Sequence, residues 1–443
     1  MSKKLHLISL GCTKNLVDSE VMLGRLRDYE MTDEVGEADV IIVNTCGFIS
    51  AAKQESINTI LDASSRRKEG ALLVASGCLS QRYHKELLEE MPEIDIITGV
   101  GDYDKIDMMI DKRQGLQTHQ VFLANENHQR VITGSCLHAY VKLSEGCNQA
   151  CSFCSIPSFK GKLHSRSIDS VLKEIENLSK QGYQDFSFVA QDSSSYLRDK
   201  GEKDGLKKLI EALDQQGYAR SARILYLYPS TTDLELIQAI ADSKIVQNYF
   251  DMPIQHISQS MLKRMKRGAS QERHLELLEA MRSVPKSFVR TTLIVGHPQE
   301  SEEEFEELCH FMEKFAFDAV NVFAYSSEEG TLAHKMEGHI PPKVVNARIS
   351  RLNKIILAQQ KKRKKAMLGE NFPVIVEDKS EVSEYFYSAR ALNWAPNIDG
   401  EILINEIALD DVESLKAGYY EAKITQVKEG YVFGSVIGNL AKE

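Results

Sequence analysis

The first 120 residues alternate short apolar runs with segments of helical period. Four runs are continuously apolar and rich in β-branched residues, which is typical of strands buried on both faces of a parallel sheet. They are LHLISL (5–10), DVIIVNT (39–45), ALLVAS (71–76) and IDIITGV (94–100). Helical segments such as QRYHKELLEEM follow them. The pattern predicts a doubly wound α/β domain over residues 1–120.

A second βα series occupies residues 133–368. Its predicted strands are AYVKLSEG (139–146), DFSFVAQD (185–192), ARILYLYP (222–229), NYFDMPIQH (248–256), FVRTTLIVGHP (288–298) and DAVNVFAYS (318–326). Repeated βα units of this length predict a full or partial TIM-like barrel, whose chemistry lies at the carboxyl ends of the strands.

Short β-rich runs separated by turns fill residues 371–443 and predict a small OB-like β-barrel. A long helical pattern precedes them and ends in the basic run KKRKK. We interpret this run as a solvated helix face, with nucleic-acid contact as the alternative.

Composition narrows the class of protein. The 443 residues are 42% hydrophobic and 27% charged, as in ordinary globular proteins. Eight cysteines in so long a chain argue against a disulfide framework and for thiols kept reduced. The sequence has no apolar run approaching the roughly 18 residues of a membrane helix. We therefore predict a cytoplasmic protein without membrane contact.

Three cysteines, Cys12, Cys46 and Cys78, each come just after a predicted strand and have a glycine beside them. Carboxyl ends of parallel strands share one edge of a sheet, so these residues can converge. Most free cysteines are simply buried small hydrophobes. Here three cysteines each follow a strand end and each have a neighbouring glycine, which lets the backbone approach a bulky ligand. This arrangement favours a three-thiolate site.

A second cysteine set follows the first barrel strand with the spacing C-x3-C-x2-C: Cys147, Cys151 and Cys154. Spacing alone leaves two kinds of site open. Zinc would need a fourth ligand such as His138 or His164, whereas an iron–sulfur cluster also uses tight thiolate loops. Cys136 and Cys309 match neither pattern, and Cys309 is predicted to pack in the core.

The position of this loop resembles that of the radical S-adenosylmethionine (SAM) superfamily. The segments GCTKNLVDSE, VNTCGFI, SGCLSQRY, SEGCNQACSFCSIP, MPIQHISQSMLKRMKR and APNIDG resemble the methylthiotransferase family within it, over nearly the whole chain. The resemblance implies an N-terminal cluster domain (1–120), a radical SAM barrel (133–368) and a C-terminal TRAM domain (371–443).

By that resemblance, the C-x3-C-x2-C loop holds a 4Fe-4S cluster whose open iron is chelated by SAM. Cys12, Cys46 and Cys78 hold a second 4Fe-4S cluster, whose open iron carries or delivers sulfur. One SAM supplies the methyl group and another a 5'-deoxyadenosyl radical, with electrons from a donor such as flavodoxin or ferredoxin.

Polar residues at other strand ends are candidates for further contacts. We predict that Gln191, Asp192 and Arg290 bind SAM, whose amino, carboxylate and ribose groups need polar partners. His256 and His297 could tune the cluster or touch substrate, or be ordinary hydrogen-bonded histidines.

Two observations bear on the substrate. GCTKNLVDSE and ILYLYPS resemble the branch that modifies the β-carbon of an aspartate in small-subunit ribosomal protein S twelve, since the RNA branch has Gln-Met after the first cysteine. Residues 371–443 also carry 13 acidic against 6 basic residues, a net charge of −7. Such a domain repels RNA and attracts a basic ribosomal protein, although acidity can also serve solubility alone.

We therefore expect ribosomal protein S twelve, within the ribosome or small subunit, to be the partner. The alternatives are a transfer-RNA adenosine methylthiotransferase and a non-enzymatic adaptor stabilised by metal. The chain departs from the family pattern at His297 and Gln299, where the family has Phe and Gly, and at Asn397, where it has Glu. These departures affect expected contacts of the nucleoside and of the TRAM domain, and leave the cysteines unchanged.

Overall fold

The computed structural model describes residues 2–118 and 120–441. The N-terminal domain is a five-stranded parallel sheet of order β2-β1-β3-β4-β5 with helices on both faces. Its strands are β1 (Lys4–Ser9), β2 (Glu30–Met31), β3 (Val40–Thr45), β4 (Leu72–Gly77) and β5 (Ile96–Ile97). Its helices are α1 (Thr13–Arg25), α2 (Ser50–Arg66), α3 (Cys78–Arg82), α4 (His84–Glu90) and α5 (Ile106–Lys112).

The predicted doubly wound domain is confirmed, with one difference at its edge. The run 94–100 forms only the two-residue strand β5. Beyond it the backbone N–H of Val100 donates to the side-chain oxygen of Gln81 at 3.0 Å, and its carbonyl accepts from Phe122 at 3.0 Å. Partners outside the sheet therefore end the strand early.

The central domain is an open sheet of six parallel strands in the order β13-β12-β11-β10-β9-β6. This is the partial form of the predicted barrel. Its strands are β6 (His138–Lys142), β9 (Asp185–Val189), β10 (Ser221–Ile224), β11 (Val246–Asp251), β12 (Phe288–Val295) and β13 (Ala319–Ala324), and β7 (Ser144–Glu145) pairs with β8 (His164–Ser165) beside them. Its helices are α6 (Ile156–Lys160), α7 (Ile168–Ser179), α8 (Gly205–Gln216), α9 (Leu234–Asp242), α10 (Gln259–Arg264), α11 (Gln271–Ser283) and α12 (Glu302–Lys314).

The two faces of this sheet differ in chemistry. One face, with residues such as Val141, Phe188 and Ile224, packs against the surrounding helices in one apolar core. The alternate positions carry charged or aromatic residues, including Lys142 and Arg223. Since the sheet does not close on itself, the other two domains cover this second face.

The C-terminal domain is a closed five-stranded barrel of order β14-β15-β16-β18-β17, as predicted. Its strands are β14 (Asn371–Ser380), β15 (Ser383–Ala391), β16 (Ile402–Ile407), β17 (Gly418–Lys428) and β18 (Tyr431–Asn439). The helix α13 (Pro342–Ala366) precedes it. In its basic run Lys361 and Lys362 are exposed, whereas Arg363 forms an ion pair with Asp318 at 2.9 Å. Within the described residues, every helix is either too short or too polar to cross a membrane.

A buried ion cluster joins the C-terminal barrel to the central sheet. Asp185 accepts two hydrogen bonds from Arg223, at 2.9 and 2.8 Å, and one from Arg390 of β15 at 2.5 Å. All three side chains are almost inaccessible to solvent. Trp394, the single tryptophan of the chain, is buried at the same seam with its ring 6.3 Å from that of Phe288.

We expect Asp185→Ala to loosen this seam, because it leaves the buried guanidinium of Arg223 without a carboxylate and Arg390 with Glu377 alone. Breaking a buried pair from one side costs about 3–5 kcal/mol. Urea unfolding followed by Trp394 fluorescence reports the seam directly. The exposed Asp242→Ala is the control, and equal unfolding midpoints for the two variants would show that the ion cluster does not hold the seam.

Candidate active site at the junction of two domains

The three N-terminal cysteines follow three neighbouring strands. β1, β3 and β4 lie side by side, and their carboxyl ends lead within three residues to Cys12, Cys46 and Cys78. Cys12 directly precedes α1, and Cys78 begins α3. The structure thus brings all three to one edge of the sheet, while their role as ligands stays a prediction.

Glycines allow these loops to approach one another. A Cβ on Gly11 would lie 2.7 Å from the Cβ and 2.9 Å from the Sγ of Cys46. A Cβ on Gly47 would lie 2.8 Å from the backbone of Leu79, the residue after Cys78. Gly11 also has φ of 86°, a conformation that favours glycine. The glycines beside the cysteines are therefore required by close contact.

Asn15 of α1 ties the same loops together. Its Nδ2 donates to the carbonyl oxygens of Leu10 at 3.1 Å and Thr45 at 2.9 Å, and its Oδ1 lies 3.6 Å from the Sγ of Cys78. Burial raises the pKa of Cys46 to about 11 and that of Cys78 to about 12. Thiols in such surroundings become thiolates when a metal centre supplies the compensating charge.

The second cysteine set lies in the loop after β7. Gly146 opens this loop with φ of 75°, and a Cβ there would lie 2.1 Å from the carbonyl oxygen of Lys162. The loop therefore folds back closely on the segment after α6. Burial raises the pKa of Cys147 to about 11 and that of Cys154 to about 12.

Two side chains from other barrel loops contact the middle cysteine. The Sγ of Cys151 lies 3.3 Å from the hydroxyl of Tyr228 and 3.3 Å from a guanidinium nitrogen of Arg267. The guanidinium of Arg267 also lies 4.3 Å from the centroid of the Tyr228 ring. Donors to a ligand sulfur tune the reduction potential of an iron–sulfur cluster.

The two histidines have different surroundings. The ring of His297 lies 3.1 Å from the hydroxyl of Ser152, inside the cysteine loop, and burial lowers its pKa to about 4. It is therefore a neutral ring that positions the loop. His256 accepts a hydrogen bond from the backbone of Ser258 at 3.0 Å and lies 3.4 Å from Glu300. The Nε2 of His256 and the Oε1 of Glu300 have no hydrogen-bond partner among the described residues, and the role of His256 stays a prediction.

Gln191 and Asp192 lie at the carboxyl end of β9, beside the cysteine loop. Gln191 donates to Glu145 at 3.0 Å, while its side-chain oxygen is buried without a partner among the described residues. Asp192 accepts from Gln149 of the cysteine loop at 2.8 Å and from Ser195 at 2.6 Å. An orphaned amide oxygen next to the loop suits a ligand with N–H or O–H donors.

Arg290 is placed differently from the other two. It lies near the amino end of β12, and its guanidinium faces Asp251 at 3.8 Å and Asp399 of the C-terminal domain at 3.7 Å. Its nearest charged partners are therefore carboxylates of the covered sheet face. A SAM contact through Arg290 stays a prediction.

The two cysteine sets lie on the two sides of one domain junction and are linked by shared neighbours. Two residues after Cys12, the ammonium of Lys14 lies 3.7 Å from the centroid of the Tyr226 ring. Tyr226 follows β10, and Tyr228, two residues further, touches Cys151. One short segment thus contacts both the helix that follows Cys12 and the second cysteine loop.

Buried charges hold this junction. Lys142 donates to Asp18 of α1 at 2.6 Å and to Glu145 at 2.6 Å, and Lys160 lies 3.3 Å from Glu145. All four side chains are at most 4% exposed. Burial opposes the charge of Glu145, but Lys142 and Lys160 lower its pKa to about 2. Burial likewise opposes the charge of Lys160, yet Glu145, Tyr103 and Cys78 raise its pKa well above the ordinary value.

The remaining cysteines and histidines lie elsewhere. Cys309 is buried among the outer helices, which confirms the packing prediction, and Cys136 is exposed. His138 bonds to Ser187 at 2.9 Å at the start of β6, and His164 is exposed in β8. Neither histidine completes a zinc site with the cysteine loop.

The donor sets suit clusters better than a single ion. Among the described residues, no three His, Cys, Asp or Glu side chains converge closely enough to hold one metal ion. Zinc draws four ligands to about 2.0–2.3 Å of one centre, whereas the cysteines of a 4Fe-4S cluster each bind a different iron. Three cysteines in each set match the three protein ligands that the resemblance implies for each cluster, and the presence of two clusters stays a prediction.

Reasoning from the sequence missed several residues of this site. Tyr228 and Arg267 lie in the quoted segments ILYLYPS and MPIQHISQSMLKRMKR, and Lys14 lies in GCTKNLVDSE. Their presence in these motifs was the available signal. Glu145 lies in the quoted segment SEGCNQACSFCSIP, whereas Lys142 gave no signal, because a buried ion pair between domains has no sequence spacing of its own.

Comparison with known proteins defines the class. The chain matches three family models: "Uncharacterized protein family UPF0004" over residues 4–99, "Radical SAM superfamily" over 141–312 and "TRAM domain" over 368–437. A solved radical SAM methyltransferase, TsrM from Kitasatospora setae, shares the fold at a TM-score of 0.52 and 14% identity, over 73% of this chain and 72% of that one. The fold and site are those of a radical SAM enzyme, a class that uses SAM and a 4Fe-4S cluster.

Three relatives narrow the assignment. Proteins named "Ribosomal protein uS12 methylthiotransferase RimO" are 68% identical in Wolinella succinogenes, over 96% of this chain and 97% of the relative, and 61% identical in Helicobacter hepaticus, over 99% of each. The Helicobacter pylori protein of that name is 59% identical over 98% of each chain. The chain belongs to the uS12 methylthiotransferase family. Membership in an enzyme family rules against the adaptor hypothesis.

We expect Gly11→Ala to disturb the first cysteine site. A left-handed alanine costs about 1–2 kcal/mol, and crowding Cys46 adds about 1–3 kcal/mol. Gly70→Ala is a matched control in the same domain, since Gly70 has φ of 80° and nothing within 4 Å of an added Cβ. Chemical unfolding of both variants separates the two costs. Equal destabilisation would mean that the contact with Cys46 is not tight.

Proposed function

We propose that this protein adds a methylthio group to the β-carbon of an aspartate in ribosomal protein uS12, the S twelve of the small subunit. The reaction uses SAM and two 4Fe-4S clusters. The observation that carries the proposal is the meeting of two three-cysteine loops at one domain junction. A site for radical generation then lies beside a site for sulfur delivery.

In this proposal Cys147, Cys151 and Cys154 hold the radical-forming cluster, and Cys12, Cys46 and Cys78 hold the sulfur-delivering cluster. When bound, the clusters and SAM supply the 5'-deoxyadenosyl radical, the methyl group and the transferred sulfur. Gln191, Asp192 and Arg290 are the proposed SAM-binding residues, and the free buried oxygen of Gln191 supports the first of them.

The chain's own residues set the conditions for this chemistry. Arg267 donates to the sulfur of Cys151 and the hydroxyl of Tyr228 lies within hydrogen-bond distance of it, contacts that would favour the reduced, more negative state of a cluster held there. Ser152 and His297 keep the cysteine loop in place. The partly buried setting of Cys147, Cys151 and Cys154 limits the access of water, which protects a reactive radical from side reactions.

The C-terminal domain supports a protein substrate. A groove of about 960 Å³ between this domain and the start of β6 is lined by acidic side chains. They are Glu377, Asp378, Glu381 and Glu401, which outnumber the two basic side chains of the groove, Lys379 and Arg390. Such a surface attracts a basic ribosomal protein and repels the phosphates of transfer RNA. The relatives' name points to the same substrate.

In this proposal each of the three domains has its own role. The N-terminal domain (1–120) delivers sulfur, the barrel (133–368) generates the radical, and the C-terminal domain (371–443) docks the substrate. The proposed partners are uS12, free or within the small subunit, and an electron donor such as flavodoxin or ferredoxin.

Mass spectrometry of products tests the function. The reconstituted protein is incubated without oxygen with SAM, sulfide and reductant, and is offered purified small subunits and unmodified transfer RNA together. We expect a methylthio gain on one aspartate of uS12. A gain on adenosine instead would establish the transfer-RNA alternative.

Iron counting tests the two cluster sites. We expect about eight irons per reconstituted chain, and about four in Cys12→Ala, which should still cleave SAM because its radical site is intact. Cys136→Ala is the control, because Cys136 is exposed and outside both loops. Full iron content in Cys12→Ala would mean that Cys12 is not a cluster ligand.

A further inference from the structure

Lys14 has an unusual environment for a buried lysine. Its side chain lies at the domain junction and is 9% exposed, and its ammonium rests on the Tyr226 ring. Among the described residues, this ammonium has no carboxylate within ion-pair distance and no hydrogen-bond acceptor. Lys142 and Lys160, in the same junction, both face Glu145. Lys14 is therefore a mostly buried cation without a direct ion-pair partner in the described part of the chain.

The ring beneath Lys14 is held in a strained conformation. Tyr226 has φ of 64°, in the left-handed region that costs a non-glycine residue about 1–2 kcal/mol. Two contacts hold it there: its backbone N–H donates to Asp251 at 3.1 Å, and its carbonyl accepts from Ser193 at 2.9 Å. Strain of this kind persists at sites where a side chain must point in one direction.

The position of Lys14 limits what anion it can receive. It lies two residues from Cys12, and its supporting ring belongs to the segment that reaches Cys151. A carbon that loses hydrogen to the radical site and gains sulfur from the other site must lie between the two loops. In an aspartate the carboxylate is bonded directly to that β-carbon, so the carboxylate must lie there too.

Other cations of the described junction are already engaged. Lys142 and Lys160 face Asp18 and Glu145, and Arg267 donates to Cys151 and to the carbonyl oxygen of Pro253. Arg290 lies between Asp251 and Asp399. Among these buried cations of the described junction, Lys14 is the one without a hydrogen-bond or ion-pair partner, and it is available to an incoming carboxylate.

We propose that Lys14 binds the side-chain carboxylate of the aspartate that is modified, and so holds its β-carbon between the two cysteine loops. The inference rests on the proposed function and names a specificity-determining residue for it. A fixed ammonium selects a carboxylate over a neutral base. The two segments that carry the resemblance to the protein-modifying branch, GCTKNLVDSE and ILYLYPS, meet in space as the Lys14–Tyr226 pair.

Binding without turnover tests this role. The full chain, reconstituted with iron and sulfide and supplied with SAM but no reductant, is titrated with purified uS12 by calorimetry. We expect Lys14→Met to weaken binding at least about tenfold, since a charge-assisted hydrogen bond is lost, and Lys14→Arg to retain more of it. Lys112→Met, which removes an exposed lysine of the same domain, should change binding less than about twofold.

A variant of the substrate completes a double-mutant cycle with Lys14→Met. In uS12 the aspartate that the product analysis identifies is replaced by asparagine. The native chain should lose about the same tenfold on this substrate, whereas Lys14→Met should bind both forms equally. Unchanged binding by Lys14→Met, or a loss that is the same for aspartate and asparagine, would overturn the inference.

Iron content distinguishes carboxylate binding by Lys14 from a competing role, in which Lys14 supports the first cluster. We expect Lys14→Met to keep about eight irons. Loss of about four irons with unaltered uS12 binding would assign Lys14 to the cluster and overturn the proposal. If the native chain does not modify uS12 at all, the proposed function fails, and this outcome is seen before any variant is made.

Discussion

The buried ion cluster of Lys142, Asp18, Glu145 and Lys160 is the constraint on which the site depends. It joins α1, whose first turn follows Cys12, to the strand and loop that lead to Cys147. Charges buried at this depth are tolerated only when every partner is present, since removing one leaves an uncompensated charge that costs about 3–5 kcal/mol. The cluster therefore defines one relative placement of the two domains. That placement puts two sets of thiols at a common junction.

The openness of the central sheet makes this arrangement possible. A closed barrel would fill its interior with its own side chains. Here the six-stranded sheet leaves one face to be covered by the N-terminal domain and the C-terminal barrel. Charged residues on that face, such as Lys142, Asp185 and Arg290, are satisfied by partners from those domains. The charged residues on this sheet face therefore also hold the three domains together.

Much of the fold followed from periodicity. Continuous apolar runs marked β1, β3 and β4, and the βα alternation marked the six strands of the barrel. The edge strand β5 was overestimated because side-chain and loop contacts took over its hydrogen bonds. The cysteines could be proposed as sites because each carried a local signal, a strand end with a glycine or a tight spacing. His256 could not be assigned, since its partner Glu300 lies 44 residues away.

The sequence by itself determined the three units, the two cysteine sets and the family, because strand periodicity, glycine placement and motif spacing are local properties of the chain. Only the tertiary structure decided that the two sets share one junction, that Tyr228 and Arg267 contact Cys151, and that Lys14 rests on the Tyr226 ring. These relations join residues tens to hundreds of positions apart. They depend on how buried charges are matched between domains, and no pattern along a single segment records such a match.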